Sequence, residues 1–137
     1  MTTIEDIKVI NFKSYETQGS LIPLDFDKDI PFKVKRMFYV YGVAGNSVRG
    51  KHAHFTTKQV LICLSGVCKI ICKDGKKQKT ITLEDPTKGI YIPEMLWDEQ
   101  IYTSPETILL VLSSTLYDRD DYIENWKYFE RIKTNKN

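Results

Sequence analysis

The chain has 137 residues, a length that predicts a single domain spanning residues 1–137. Its 20 Lys and Arg against 18 Asp and Glu give a formal net charge of +2, too small to indicate a nucleic-acid or membrane-binding surface. No apolar run approaches the roughly 20 residues of a transmembrane helix, and the N-terminal segment lacks the apolar stretch of a signal peptide. We therefore expect a cytoplasmic protein with neither nucleic acid nor membrane as a partner.

Short segments rich in β-branched and aromatic residues recur along the chain and predict strands. Turn residues separate them, among which Asp74 and Gly75 form a hairpin signal. The predicted strands are, in chain order, 7–12, 21–26, 34–41, 49–54, 59–64, 67–73, 80–83, 89–92, 98–102 and 107–113. Many short strands joined by turns favour an antiparallel sandwich or barrel, with a jelly roll as the natural candidate.

Only residues 118–133 have the apolar spacing of a helix, and Asp118 or Asp120 is a suitable residue to cap its start. The predicted fold is therefore all-β with one C-terminal α-helix.

The three cysteines are an odd number, which fits a reducing compartment. Cys63, Cys68 and Cys72 stand among Val, Ile and Leu, so we interpret them as small hydrophobic core residues.

The two histidines of the chain, His52 and His54, lie two positions apart in a predicted strand. Residues at this spacing point to the same face of a strand. Two imidazoles on one face can bind a metal or share a proton transfer, although two half-exposed histidines on a hydrated strand would have the same spacing.

The residues after the histidines resemble the first cupin motif, with Gln59 where a Glu normally stands and Gly66 at its end. Residues 89–98 resemble the second cupin motif and place Asp98 at the position of its metal-binding His. The chain thus differs from the usual cupin metal set at two of its positions.

Two hypotheses remain open. In the first, no metal is bound and His52 and His54 perform general acid–base catalysis. In the second, His52, His54 and Asp98 form a two-histidine–one-carboxylate triad for Fe(II) and oxygen chemistry. The second requires Asp98 to point inward, with Trp97 and Glu99 pointing outward.

Beyond these motifs, the chain resembles the cupin sugar 3,4-ketoisomerases that act on thymidine-diphospho-4-oxo-6-deoxyglucose (the dTDP-linked 4-oxo-6-deoxy sugar). The resemblance runs from about Val9 to Tyr128 and is carried by RGKHAH, the run that starts with Gln59, and the late YDRDDYI. It implies a cupin jelly-roll barrel, a homodimer, and an enzyme without metal or other cofactor.

The resemblance also implies the reaction. A base removes the C3 proton, which the adjacent ketone acidifies, an enediol forms, and protonation at C4 yields the 3-oxo sugar. The product would supply an aminotransferase that makes 3-amino-3,6-dideoxy sugars for surface glycans such as lipopolysaccharide. A metal-dependent cupin oxygenase, a non-catalytic sugar-nucleotide-binding cupin and a 3,5-epimerase are the alternatives.

By the same resemblance His52 is the base and His54 its partner, which shuttles a proton on oxygen or stabilises the enediolate. Tyr39 is a further candidate donor, although it could equally be a packed barrel tyrosine. Arg36 and Arg49 are candidates for binding the diphosphate, because a guanidinium grips phosphate oxygens bidentately.

Gln18 and Asp98 depart from relatives, which can carry Arg or Tyr at the first position and His or Arg at the second. Both positions lie near the reacting end of the sugar in the family, so they are expected to bear on which face of C4 receives the proton. The product's configuration at C4 stays open. A carboxylate at Asp98 would also favour a protonated imidazole beside it.

Overall fold

Two five-stranded antiparallel sheets face each other in the structure, a computed structural model that describes residues 1–134. The first sheet has the order β1-β9-β6-β11-β4 and the second the order β12-β5-β10-β7-β8, while β2 and β3 form a separate hairpin. The strands are β1 (Lys8–Asn11), β2 (Tyr15–Glu16), β3 (Ser20–Leu21), β4 (Arg36–Val40), β5 (Ser47–His54), β6 (Gln59–Ser65), β7 (Cys68–Lys73), β8 (Gln78–Leu83), β9 (Lys88–Ile92), β10 (Trp97–Tyr102), β11 (Ile108–Ser113) and β12 (Tyr122–Ile123).

Within residues 1–134, two α-helices and two 3-10 turns accompany the sheets: α1 (Phe26–Asp29), α2 (Trp126–Thr134), and turns at Ile4–Asp6 and Arg119–Asp121. The all-β class with a C-terminal helix is therefore confirmed. No helix within residues 1–134 combines the length and the apolar character needed to cross a membrane. Residues 135–137 of the predicted domain lie outside the described residues.

The main core fills the space between the two sheets. Alternate residues of the facing strands supply it, for example Leu61 on β6 and Ile70 on β7, both fully buried. All three cysteines are buried and unpaired, and they pack as small hydrophobic residues, as predicted.

The prediction of a strand at residues 21–26 is wrong. Only Ser20–Leu21 is paired, and Phe26–Asp29 forms a short helical turn. Pro23 has no N–H to donate to a ladder, which explains why pairing stops before it. Ile22 and Leu24 pack instead in a second apolar cluster with Val60 and Leu112 of the first sheet.

The helix predicted at 118–133 begins eight residues later, at Trp126. Asp118 caps only a single 3-10 turn, because its side chain accepts from the Asp120 N–H. The next residues, Tyr122–Ile123, pair with β5 as a strand. Pairing with the open edge of β5 is therefore more favourable for this segment than the helix that its apolar spacing predicts.

Helix α2 packs against the outer face of the second sheet. Phe129 is fully buried, and the ring of Trp97 lies 5.2 Å from that of Trp126, measured between centroids. Lys133, also buried, donates hydrogen bonds to the backbone oxygens of Thr2 and Met95. The helix therefore ties the N-terminus to the sheet that carries β5.

Replacing Phe129 by Ala should lower the free energy of unfolding by about 3–5 kcal/mol, because a fully buried aromatic side chain leaves a cavity. Urea unfolding followed by circular dichroism measures this effect. The matched control is Tyr128→Ala on the same helix, where the native ring is 40% exposed and the loss should be much smaller. Equal losses at the two positions would contradict the described packing of α2.

Candidate active site

The candidate site is organised by β5, which lies between β10 and β12. In the register of the second sheet, His52 is opposite Asp98 and His54 is opposite Tyr122. The pairing with β10 shifts by one residue, so that Gly50 is opposite Glu99 and Lys51 has no opposite residue on β10. Gly50 and Lys51 have φ of +82° and +60°, the left-handed backbone of a bulge.

The two imidazoles lie together, as expected for residues on one face of a strand. Their centroids are 4.9 Å apart, His54 is buried and His52 is half-buried. The ring of Tyr122 lies 5.0 Å from His52 and 4.5 Å from His54. The site therefore contains three interacting rings rather than two.

Tyr122 is a site residue that the sequence interpretation missed. It stands in the segment YDRDDYI, but its apolar spacing with the residues that follow predicts a helix there. Asp121, beside it, accepts hydrogen bonds from the backbone N–H and the hydroxyl of both Thr56 and Thr57. These bonds anchor the start of β12 just beyond His54, which holds the Tyr122 ring against both histidines.

A cavity of about 440 Å³ opens beside the ring cluster. Its lining includes Arg36, Arg49, His52, Gln100 and Tyr122. A neighbouring pocket includes His54, together with Arg36 and Tyr122. The cavity thus combines two guanidinium groups with an imidazole, which suits an anionic ligand, such as a phosphate ester, that takes part in a proton transfer.

Arg36 reaches the cavity from β4. Its guanidinium lies 4.7 Å from the centroid of Phe38 and 5.4 Å from that of Tyr117, so two aromatic rings hold it in place. Arg49, in contrast, is exposed at the cavity mouth. Both predicted diphosphate ligands are therefore brought to the cavity of His52.

Asp98 points inward and is 1% exposed. Burial raises the pKa of this carboxyl, while His52 and a hydrogen bond from Gln100 oppose that rise. Trp97 faces the other way and belongs to the α2 cluster, where it fills the core.

The inward Asp98 does not complete a metal site. Across residues 1–134, no group of three or more His, Cys, Asp or Glu side chains is placed to hold a metal ion. His52, His54 and Asp98 therefore do not form the triad that the oxygenase hypothesis requires.

Two predicted residues are not brought to the histidine pair. Tyr39 lies at the cavity rim and is 60% exposed, on the face of β4 that alternates with Arg36 and Phe38. Gln18 is exposed in the turn of the β2–β3 hairpin, with φ of +53°. Their catalytic and substrate-binding roles stay predictions.

The fold and the site define a cupin-type β-barrel in which one histidine of a pair lines the main cavity and the other lines a neighbouring pocket. The epimerase NovW from Streptomyces spheroides has the same fold, with a TM-score of 0.74 at 19% identity over 87% of this chain and 68% of that one. The FdtA family model, described as WxcM-like, C-terminal, matches residues 4–134. The chain belongs to this family.

Characterised relatives are similar along most of the chain. The TDP-4-oxo-6-deoxy-alpha-D-glucose-3,4-oxoisomerase of Aneurinibacillus thermoaerophilus is 40% identical over 125 residues, 90% of each protein. The sugar 3,4-ketoisomerase QdtA of Thermoanaerobacterium thermosaccharolyticum, solved in complex with TDP, superposes with a TM-score of 0.93 at 36% identity, covering 97% of this chain and 98% of that one. The TDP-quinovose 3,4-ketoisomerase WlaRB of Campylobacter jejuni gives 0.87 at 41% identity, covering 93% and 99%.

The electrostatics of His54 lead to a prediction about stability. Burial, followed by the nearby His52, lowers the pKa of His54 from 6.5 to about 4, with a smaller contribution from Arg36 and an opposing one from Asp121. The folded state therefore binds fewer protons than the unfolded chain between these values, and stability is lost as the pH falls from 6.5 towards 4.

Replacing His54 by Gln should remove this part of the pH dependence, roughly 3 kcal/mol in the free energy of unfolding over that interval. Urea unfolding of the native protein and the variant at the two ends of the interval measures the difference. If both proteins lost the same free energy on acidification, His54 would not be held neutral in the folded state.

Proposed function

We propose that this protein is a sugar 3,4-ketoisomerase that converts TDP-4-oxo-6-deoxyglucose into the 3-oxo-6-deoxy hexose. The observation that carries the proposal is the position of His52, which lines the same cavity as Arg36 and Arg49. The similarity to a curated 3,4-oxoisomerase at 40% identity supports the choice of substrate.

The proposed reaction transfers protons and needs no external oxidant or reductant. His52 takes the proton from C3, the electrons of that C–H bond form a C3–C4 double bond, and the C4 carbonyl oxygen gains a proton. The enediol then loses the proton of its C3 hydroxyl, C3 becomes the ketone, and C4 accepts a proton. One carbon is oxidised while its neighbour is reduced, so the redox balance is internal.

The two histidines have environments that suit different roles. His52 is half-buried and lines the larger cavity, so it can reach a substrate carbon. His54 is buried with a pKa of about 4, which keeps its imidazole neutral near pH 7. A neutral imidazole can donate and accept hydrogen bonds, and His54 is suited to move a proton between the sugar oxygens.

The diphosphate is proposed to bind at Arg36 and Arg49. The aromatic rings of Phe38 and Tyr117 restrain Arg36, so less side-chain freedom is lost when it binds an anion. A phosphate bound there would lie beside the histidine cavity, with the sugar extending towards His52.

We also propose that the protein is a homodimer. The strand β4 ends the first sheet, and its outer face exposes Met37, Tyr39 and, just beyond it, Tyr41. An exposed apolar face on an edge strand is typical of a surface that a second subunit covers. The β2–β3 hairpin, which pairs with neither sheet, would then be free to place Gln18 on the partner. The cytoplasmic location and the surface-glycan pathway are proposed from the family resemblance.

A proton NMR time course in D2O tests the activity directly. EDTA-treated protein mixed with TDP-4-oxo-6-deoxyglucose should cause loss of the C3 proton signal together with appearance of the 3-oxo sugar. His52→Asn should abolish both changes, because no base remains to take the proton. Lys69→Asn, at an exposed position of β7, is the matched control and should retain both.

Tight binding of the nucleotide sugar without C3 exchange would instead make the chain a binding protein and overturn the proposed activity. Exchange that appears only after Fe(II) is added would contradict the metal-independent reaction proposed above.

Replacing Arg36 by Met should weaken TDP binding roughly tenfold or more, since charge-assisted hydrogen bonds to phosphate are lost. Isothermal titration calorimetry with TDP gives the dissociation constants. Arg131→Met is the control, because Arg131 lies on α2 over the ring of Tyr128, outside the cavity lining. Unchanged TDP affinity in the Arg36 variant would move the diphosphate site elsewhere.

A further inference from the structure

Three inward-facing side chains of β10 form a hydrogen-bonded row behind the histidine cavity. The Tyr102 hydroxyl donates to Gln100 Oε1 over 2.9 Å, and Gln100 Nε2 donates to Asp98 Oδ1 over 3.2 Å. Tyr102 and Asp98 are 0% and 1% exposed, and Gln100 is 9% exposed. The row therefore runs from the barrel core to the residue opposite His52.

The row has a defined direction. Burial raises the pKa of Tyr102, so its hydroxyl keeps its proton and needs an acceptor. The amide oxygen of Gln100 supplies that acceptor, and the amide nitrogen is then turned towards Asp98. An amide nitrogen can only donate, so the Asp98 oxygen that it meets must accept.

The opposite arrangement is less favourable. A protonated Asp98 that donated to Gln100 would require the amide to turn round. The amide nitrogen would then face the Tyr102 oxygen, and the hydroxyl proton of Tyr102 would lose Gln100 as its acceptor. A buried donor left without a partner costs about 1–3 kcal/mol, so Tyr102 fixes Asp98 Oδ1 as a hydrogen-bond acceptor. A hydrogen bond to an ionised acceptor is stronger than one to a neutral acid, so a fixed donor at Oδ1 favours the carboxylate.

Other groups around Asp98 shift its pKa in opposite directions. Burial, which has the largest effect, and the charge of Glu99 raise the pKa of Asp98, whereas His52, opposite it on β5, lowers that pKa. Cys72 on β7 also lies opposite Asp98, and burial raises the pKa of its thiol, so it supplies no charge at neutral pH. Gly50 allows the close approach of β5, because a Cβ there would lie 3.1 Å from Asp98 Oδ1.

We propose that Gln100 and Tyr102 are positioning residues that act through Asp98 and hold its carboxylate as a hydrogen-bond acceptor opposite His52. The inference rests on the proposed function, because a carboxylate in this place stabilises the imidazolium that forms when His52 takes the C3 proton. Tyr102 is fully buried in the barrel core and lies outside the cavity lining. Its effect on the reaction is therefore transmitted through Gln100 and Asp98.

Carbon-13 NMR of the aspartate carboxyl groups tests the positioning in the full-length protein. The Asp98 signal is assigned from its loss in Asp98→Asn. In Gln100→Leu and in Tyr102→Phe, the proton-binding constant of Asp98 should increase about tenfold, as its hydrogen bond is lost or misdirected. Tyr128→Phe, which removes an exposed hydroxyl from α2, should leave it unchanged. An unchanged Asp98 titration in Tyr102→Phe would overturn the inference.

Steady-state kinetics test the catalytic consequence. Tyr102→Phe should lower kcat about tenfold while KM for the nucleotide sugar stays within twofold, because Tyr102 lies outside the cavity lining. Gln100→Leu should lower kcat by a similar factor, but Gln100 lines the cavity, so its KM carries no test of the positioning role. A shifted Asp98 titration with unchanged kcat would overturn the link to His52. The NMR titration needs no isomerase activity, so an inactive native protein would contradict the proposed function and not the positioning of Asp98. Circular dichroism and TDP binding confirm that each variant is folded.

Discussion

The pairing of β5 with a neighbour on each side is the interaction on which the site depends. The strand carries both histidines, β10 places Asp98 on one side of them, and β12 places Tyr122 on the other. The bulge at Gly50 and Lys51 sets the register that puts Asp98, rather than Trp97, opposite His52. Because side chains alternate along a strand, a slip of one residue would exchange the buried and solvent-facing sets.

Burial gives chemically similar groups different properties. The two imidazoles are 4.9 Å apart, yet His54 is buried beside Arg36 and stays neutral, while His52 faces the cavity and a carboxyl. In many active sites, unequal environments separate the pKa values of two titratable groups, so that one acts as the acid and the other as the base. The proposed isomerisation needs this division, because a proton must move on carbon at one point and on oxygen at another.

The outer surfaces of the barrel also serve the site. Helix α2 covers the face of the second sheet behind Trp97, and the buried Lys133 ties the helix to the N-terminus. Asp121 anchors the start of β12 through Thr56 and Thr57. These contacts lie outside the cavity lining but fix the two strands that flank the histidines, so cavity geometry and global stability are coupled.

Local sequence patterns determined the fold class, most strand positions and the pairing of the histidines on one face, because alternation and turn chemistry depend on near neighbours. The burial of the cysteines follows from the same alternation. Tertiary structure alone decided that Tyr122 leaves its helical pattern to pair with the free edge of β5. It also decided that Gln100 and Tyr102 form a row with Asp98, and that Tyr39 faces outward. Those outcomes depend on which strands become neighbours, and contacts between residues distant in the chain carry no local signal.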